Sequence, residues 1–332
     1  IALNYWNSRT HKFGRLSIIT VINTAVTALG QIGLSFRPNA GAGELILGSI
    51  IGIFCATSLL TFRVWSEDSV FIMNNVKWAK IHDGIIRYKK FPLLNTWSNL
   101  INSFSWQLPT FMLTRFFSTT VTGYYNLGTR VMRVPMSLLG GAIAKAQYPR
   151  LAQAKHKGKL TQMVEKTVQM LIAYSMFPML ILTLVGEESF IVLFGRKWAE
   201  AGFYTQILSL WTLFWFISSP ISRVLDILEK QYLLLRINII VFITRLASLW
   251  IGGIMAQPRL AILLFAISGI LAYGYYSLVI IRVSGVPLLN VLKFLGKYFL
   301  IFLPFGLVLG VLKWISIAPW VLLLIAIIFL LS

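Results

Sequence analysis

Two arginines, Arg130 and Arg133, lie within the apolar segment GYYNLGTRVMRVP, where a helix buried in an apolar environment would avoid charge. With Thr122 and Asn126 they recur at spacings of three and four residues, which places all four side chains on one helix face. An arginine keeps its proton and presents paired N–H donors that match the oxygens of a phosphate group. The spacing therefore predicts a cationic helix face that needs an anionic partner.

Both arginines need partners if they lie in a membrane, since a charge near the bilayer centre costs roughly 2.5–3.5 kcal/mol on insertion scales. One interpretation is that buried carboxylates neutralise them, or that they donate to backbone carbonyls of other helices. Acids are scarce in the apolar segments, however. Asp226 is the clear example, and its spacing of three from Arg223 predicts an ion pair within one helix. The scarcity of acids favours the other interpretation, in which an anionic ligand supplies the missing charge.

A second polar stripe lies in the preceding apolar segment, where polar residues recur at helical spacing: Asn95, Asn99, Asn102, Trp106 and Thr110. Two neighbouring helices with polar faces, one of them carrying two cations, predict the wall of a hydrated cationic chamber. Arg245, with Asn238 on the same face of a later segment, either lines this chamber or packs between helices, and both interpretations stay open.

The helices that position these residues must lie in a membrane. The chain has 332 residues, of which 57% are hydrophobic and 12% charged, whereas soluble domains are about 25% charged. The net charge of +20 does not indicate nucleic-acid binding, because the cations lie in short segments between apolar runs rather than on a polar domain. The three histidines are scattered and no enzyme motif occurs, so we expect no metal, no cofactor and no catalysis.

Apolar runs near the length that crosses a bilayer recur along the whole chain. Ten spans are predicted, at residues 13–36, 43–62, 93–115, 119–146, 167–186, 202–227, 232–256, 259–281, 294–313 and 317–332. Alternate loops carry 20 and 6 of the Lys and Arg residues, which places the richer set, and both ends of this chain, in the cytoplasm. Residues 70–90 are predicted to form an amphipathic surface helix, and residues 187–202 a short interfacial helix on the opposite side.

The quoted region resembles a known family of transporters. The segment GYYNLGTRVMRVPMSLLGGAIAKAQYPRLA (residues 123–152) is similar to a helix and loop of polysaccharide transporters, which include the Wzx-type flippases. These belong to the multidrug/oligosaccharidyl-lipid/polysaccharide exporter superfamily. LFGRKWAEAGFYTQILSLW (residues 193–211) and ALNYWNSRTHKF (residues 2–13) also resemble segments of this family.

The resemblance implies an all-α polytopic membrane protein with two six-helix lobes around a central cavity. The ten spans would then be helices five to fourteen, and the first four helices would be missing from this chain. Residues 1–91 would hold the last two helices of the N-terminal lobe and a cytoplasmic amphipathic linker. Residues 92–282 would form the six-helix C-terminal lobe, and residues 283–332 two additional helices.

The resemblance also implies a function: moving a polyprenyl-pyrophosphate-linked oligosaccharide across the bacterial inner membrane for surface polysaccharide assembly, by alternating access. Arg130 and Arg133 would bind the pyrophosphate. The sugar would contact a set of polar and aromatic residues that line the cavity: Asn126, Tyr125, Asn95, Asn99, Asn102, Trp106 and Arg245. A polysaccharide polymerase and chain-length machinery are the implied protein partners.

Two alternatives remain. A multidrug or cation exporter of the same superfamily would favour acids in its chamber, opposite in sign to the residues found here. A membrane glycan polymerase or ligase would be expected to carry large extracytoplasmic loops, whereas every loop predicted on that side is short.

Overall fold

The computed structural model describes residues 2–9, 12–36, 41–75, 78, 82–84, 86, 90–135, 150–151 and 153–331, and these residues are helical wherever they form regular structure. We label twelve helices in chain order: α1 (Ala2–Arg9), α2 (Phe13–Ser35), α3 (Ala42–Asn75), α4 (Lys90–Phe116), α5 (Thr119–Pro135), α6 (Leu160–Phe194), α7 (Ala199–Ile221), α8 (Arg223–Ile227), α9 (Gln231–Ile254), α10 (Pro258–Val283), α11 (Leu288–Trp314) and α12 (Pro319–Leu331).

Seven stretches of the described residues are long and apolar enough to cross a membrane, so the chain is a multi-pass membrane protein, as predicted. They correspond to α2, α3, α6, the α7–α8 region, α9, α10 and α11. α4 and α5 do not meet the apolarity criterion because they carry the two polar stripes. α12 is apolar but short. The prediction of ten spans, with four more absent from this chain, stays a prediction.

Three helix boundaries differ from the sequence-based expectation. α3 continues to Asn75, so Val70 and Met73 belong to this long helix and do not begin a separate surface helix. Most of the other residues of the predicted surface helix lie outside the described ranges. α6 begins at Leu160, before the predicted span. The same helix continues to Phe194 across a break at Val185, so the predicted interfacial helix is largely its last turns. Hydropathy identifies the apolar residues of a helix, whereas the backbone hydrogen bonds that define the helix can continue beyond those residues.

The chain divides into two compact units, residues 1–88 and 89–332. In the first unit α2 packs along α3 through small residues: a Cβ at Gly52 would lie only 2.0 Å from Thr27 Oγ1. Small residues let membrane helices approach closely, because apolar burial alone does not drive them together. Lys12 Nζ lies 3.1 Å from Glu67 Oε2 and 3.2 Å from Asp68 Oδ1. These hydrogen bonds to Glu67 and Asp68 raise the pKa of the Lys12 ammonium group.

The second unit contains the predicted site. α6 packs along α7, and α9 packs against both α4 and α10. The core between these helices is apolar and aromatic, with Trp211 and Phe265 among its fully buried side chains. α11 and α12 pack against α6 at the edge of this unit. The interpretation of residues 283–332 as a separate region stays a prediction.

Candidate functional site

α5 carries the two arginines, and its packing decides which of its faces stays open. Gly128 lies directly against α7, where a Cβ would be 2.6 Å from Thr205 Oγ1. Met132 is 1% exposed, one turn further along the same side. Because this face is turned into the core, the opposite face of α5 remains exposed, and it carries Asn126, Arg130 and Arg133. The sequence-based prediction that these three share one face agrees with the structure, whereas Thr122, predicted on the same face, is buried at 6% exposure.

Tyr125 lies on the buried side of α5 rather than with its neighbour Asn126. It is 3% exposed, and its ring meets Phe265 of α10 edge-on at 6.1 Å. Its hydroxyl has no hydrogen-bond partner in the described part of the chain. Consecutive helix residues point about 100° apart, so the sequence alone did not show on which side of the packing boundary Tyr125 would fall.

The polar stripe of α4 adjoins that of α5. Thr114 and Thr122 hydroxyls are 2.9 Å apart, and the Thr110 hydroxyl approaches Asn126 Oδ1 at 3.5 Å. Side-chain contacts between the two helices therefore follow their predicted polar faces. The described part of α5 ends at Pro135, and the remaining residues 136–146 of the predicted span lie outside the described residues.

Further along α4, the asparagines of the stripe differ in exposure. Asn99 is exposed, whereas Asn95 and Asn102 are half-buried. The Oδ1 atom of Asn95 is buried without a hydrogen-bond partner among the described residues. The structure therefore places the Asn99 amide where a ligand could reach it and leaves an acceptor of Asn95 unsatisfied.

Trp106 on α4 joins the stripe to the arginines. The guanidinium carbon of Arg133 lies 4.8 Å from the centre of the Trp106 ring, within the range of a cation–π interaction. Trp215 of α7 lies beside the same ring, 4.9 Å from it at 59°. Both indoles are half-buried. Arg133, Trp106 and Trp215 therefore form one cationic and aromatic cluster at the edge of the exposed face.

Trp215 was not among the residues that the sequence indicated. It lies four residues after Trp211, and the two rings are nearly parallel at 15°, with centres 6.2 Å apart. The Trp211–Trp215 spacing in the sequence could have predicted an aromatic ladder on α7. A crevice lined by Arg133, Trp211 and Trp215 runs between α5 and α7, and it is too narrow to hold a water molecule.

Arg245 on α9 contacts Trp106 as well, with its guanidinium carbon 4.7 Å from the ring centre, but its surroundings are different. Arg245 is only 1% exposed. It donates from Nη1 to the Ser105 carbonyl at 3.1 Å and to the Ser105 hydroxyl at 2.9 Å, and from Nη2 to the Tyr273 hydroxyl at 3.0 Å. This guanidinium therefore links α4, α9 and α10.

Four aromatic rings surround the Arg245 guanidinium at 4.7 to 5.6 Å: those of Trp106, Trp211, Phe265 and Tyr273. No carboxylate of the described residues forms an ion pair with it. A buried charge needs compensation, and here aromatic faces and the hydrogen bonds of Nη1 and Nη2 supply it, while Nε has no hydrogen-bond partner among the described residues. Of the two interpretations open for Arg245, these contacts match packing between helices.

Three other cations of the second unit, Arg223, Arg259 and Lys313, form ion pairs with described acids. Arg223 Nη1 lies 3.5 Å from Asp226 Oδ2, which confirms the predicted ion pair within one helix. Arg130 and Arg133, by contrast, form neither ion pairs nor hydrogen bonds with the residues that the structure describes. Within the same ranges, no three His, Cys, Asp or Glu side chains come together as a metal site. The open face of α5 therefore carries two exposed cations that have no ion-pair partner among the described residues.

Known proteins match both the sequence and the fold. The sequence profile of a family described as "Polysaccharide biosynthesis protein" matches residues 4–202. Among curated relatives, the chain is 23% identical over 143 residues to the teichuronic acid biosynthesis protein TuaB of Bacillus subtilis (strain 168), covering 43% of this chain and 30% of TuaB. It is 22% identical over 173 residues to the succinoglycan biosynthesis transport protein ExoT of Rhizobium meliloti (strain 1021), covering 47% of this chain and 34% of ExoT.

The fold matches a solved structure described as lipid II flippase MurJ in an inward closed conformation. The TM-score is 0.57 at 14% identity, and the match covers 93% of this chain and 64% of the MurJ chain. At that identity the likeness shows the fold alone, and it confirms the predicted all-α polytopic fold. The matched regions span about a third of the two curated relatives, so this chain corresponds to part of their length.

Proposed function

The chain belongs to the polysaccharide biosynthesis protein family, and we propose that it forms part of a flippase for a lipid-linked oligosaccharide. The substrate is a polyprenyl pyrophosphate that carries an oligosaccharide unit. It crosses the bacterial inner membrane during assembly of a surface polysaccharide such as O-antigen, capsule or exopolysaccharide. Both ends of this chain face the cytoplasm.

The observation that carries this proposal is the open face of α5. Arg130 and Arg133 are exposed and have no carboxylate partner in the described structure, in a protein that keeps charges scarce in its spanning helices. Two planar cations about one helical turn apart suit a pyrophosphate, because each guanidinium donates paired N–H groups to phosphate oxygens. The pyrophosphate would supply the negative charge that the face lacks.

The neighbouring residues suit a sugar. Trp106 and Trp215 present half-buried aromatic rings beside Arg133, and an indole face packs well against the apolar C–H face of a sugar ring. Asn126 and Asn99 add exposed amides that donate to and accept from hydroxyl groups. The pyrophosphate would thus lie on the arginines, and the first sugars would lie along the α4–α5 polar faces. Tyr125 and Arg245 would support this surface from the core.

Movement of the substrate would follow alternating access, in which two lobes rock around a site near the middle of the membrane. The site described here belongs to one of those lobes. Binding at the open face of α5 would hold the charged head group in a hydrated chamber, while the polyprenyl tail stays in lipid. A drug exporter is the weaker candidate, since a cationic drug would be repelled by Arg130 and Arg133.

Complementation of a flippase-null strain tests this function. The full-length gene should restore surface glycan, and the Arg130→Ala/Arg133→Ala double variant should abolish it while membrane levels of the protein stay normal. Arg115→Ala is the matched control, because Arg115 is an exposed cation at the end of the neighbouring helix α4. It should leave glycan output unchanged. Normal glycan from the double variant would contradict the proposal, as would restoration of drug resistance without glycan.

A further inference from the structure

A second cationic surface lies on α11, apart from the α4–α5 face. Lys293 and Lys297 are one helical turn apart and both are exposed. Together with Gly296, Leu300 and Ile301 they line an open groove of about 550 Å³. Nothing lies within 4 Å of the position that a Cβ on Gly296 would take, so the surface beside the two lysines is open there.

The depth of these lysines is unusual for cations that only set topology. α11 runs from Leu288 to Trp314. The apolar stretch from Tyr298 to Leu312 would span about 22 Å at roughly 1.5 Å per residue, which is shorter than a hydrocarbon core of about 30 Å. At least one of the flanking cations Lys297 and Lys313 must therefore lie at or inside the edge of the hydrocarbon region, where a cation is costly unless it reaches the interface or meets an anion.

The protein does not supply that anion in the described structure. Glu165 of α6 accepts a hydrogen bond from Asn290 Nδ2 at 2.8 Å, one turn before Lys293, but it forms no ion pair with either lysine. Lys313, at the other end of the same helix, is paired: its Nζ lies 2.9 Å from Glu188 Oε1. The cations of α11 thus differ. Lys313 at one end has an acidic partner, whereas Lys293 and Lys297 at the other end are exposed and form no ion pair with the described residues.

Below the lysines the exposed surface of the helix is apolar. Leu300, Ile301, Leu307 and Val311 are all exposed, at 67%, 43%, 61% and 51%, and they continue along the helix away from the charged end. A molecule that matches this surface needs a negative head group at the lysines and hydrocarbon chains along the leucines. Such a molecule is an amphiphile of the bilayer itself rather than a soluble anion.

We propose that Lys293, Gly296 and Lys297 of α11 bind the head group of one anionic phospholipid. Its phosphate contacts the two ammonium groups on the open surface beside Gly296, and its acyl chains run along Leu300 and the exposed residues beyond it. The site lies on the side predicted to be cytoplasmic, where anionic lipids attract basic residues near the membrane surface by about 1 kcal/mol per cation. The bound lipid would fix α11 against the bilayer independently of substrate.

Native mass spectrometry of the purified full-length protein, titrated with phosphatidylglycerol, tests the site. The parent protein should retain the anionic lipid more tightly than phosphatidylcholine with the same acyl chains. Lys293→Gln/Lys297→Gln should weaken phosphatidylglycerol binding by roughly tenfold or more. Lys157→Gln/Lys159→Gln removes the same charge from exposed lysines on the same predicted side, and it should change the binding little.

A second variant separates a shaped site from general attraction. Gly296→Leu keeps both lysines and places a bulky side chain in the open space beside them, so it too should weaken phosphatidylglycerol binding. Arg130→Ala/Arg133→Ala should leave this binding intact, which keeps the test independent of the proposed flippase site. Two results would overturn the site: an equal loss of phosphatidylglycerol binding in both lysine double variants, or unchanged binding of this lipid by Gly296→Leu. So would an effect of the α11 lysines on farnesyl pyrophosphate but not on phosphatidylglycerol.

Discussion

Two guanidinium groups contact the ring of Trp106, but one of them is buried between helices and the other lies on an exposed helix face. Arg245 is buried, hydrogen-bonded to Ser105 and Tyr273 and enclosed by aromatic rings. Arg133 lies on an exposed face with Arg130 and has the Trp106 ring as its contact in the described structure. A cation in a membrane protein can thus be satisfied internally without any carboxylate, or be left open for a ligand. Exposure and hydrogen bonding, not residue type or position in the sequence, distinguish the two cases.

The largest effect on stability is expected from Arg245→Ala. The substitution removes three hydrogen bonds and leaves a void between four aromatic rings, which should cost about 3 kcal/mol. Thermal unfolding of the purified protein, followed by size-exclusion fluorescence, measures the loss. Arg133→Ala is the matched control and should change the unfolding midpoint little. Equal destabilisation by the two variants would remove the distinction between the two regions.

Trp106→Ala should have the next largest effect, because this ring contacts both guanidinium groups. Loss of the indole should destabilise the protein by about 2 kcal/mol and should also lower glycan export. Trp215→Ala should reduce export with a smaller effect on stability, since Trp215 is half-buried and does not contact Arg245 in the described contacts. Stability and surface glycan are measured on the same variants. A loss of stability without any loss of export in Trp106→Ala would show that the ring serves the core alone.

A smaller effect is expected on the α4–α9 contact. Asn238 Nδ2 donates to the Ser98 hydroxyl at 2.7 Å and approaches the Ser98 carbonyl at 3.3 Å. Asn238→Ala should therefore destabilise the protein by about 1 kcal/mol. Asn99→Ala removes an exposed amide one residue from Ser98 and should leave the unfolding midpoint unchanged while it reduces export. If Asn99→Ala lowered the unfolding midpoint and Asn238→Ala reduced export instead, the assignment of the α4 faces would be wrong.

The smallest effect is expected from a cation that has an ordinary acidic partner. Arg259 forms a two-point contact with Glu200, with Nε–Oε1 2.9 Å and Nη2–Oε2 2.7 Å, and its side chain is 64% exposed. Exposed ion pairs contribute about 0–1 kcal/mol, so Arg259→Gln should shift the unfolding midpoint slightly. A loss as large as that of Arg245→Ala would mean that ion pairing, rather than burial, decides which cations hold the helices together.

The sequence predicted the class, the family and the open face of α5. Apolar runs indicated spanning helices, and seven stretches of the described residues are long and apolar enough to cross a membrane. The spacing of Asn126, Arg130 and Arg133 placed them on one side of α5. These features depend on composition and helical periodicity, which are local. Helix ends were less predictable: α3 extends to Asn75 and α6 to Phe194, because a helix does not stop where its apolar residues stop.

The roles of Arg245 and Tyr125 could not be predicted, since they depend on contacts between distant segments. Arg245 is satisfied by Ser105, which is 140 residues away in the chain. Tyr125 is buried because Gly128 brings α5 against α7 at Thr205. A single sequence shows that a polar residue must have a partner but does not identify it.

Direct binding of a pyrophosphate lipid tests the central claim, that the open face of α5 receives the charged head group. Farnesyl pyrophosphate is titrated into the purified full-length protein, and its dissociation constant is measured by microscale thermophoresis. Arg130→Ala/Arg133→Ala should raise this constant by roughly tenfold or more, whereas Arg115→Ala should leave it unchanged. An unchanged constant in the double variant, with the protein folded, would contradict the account.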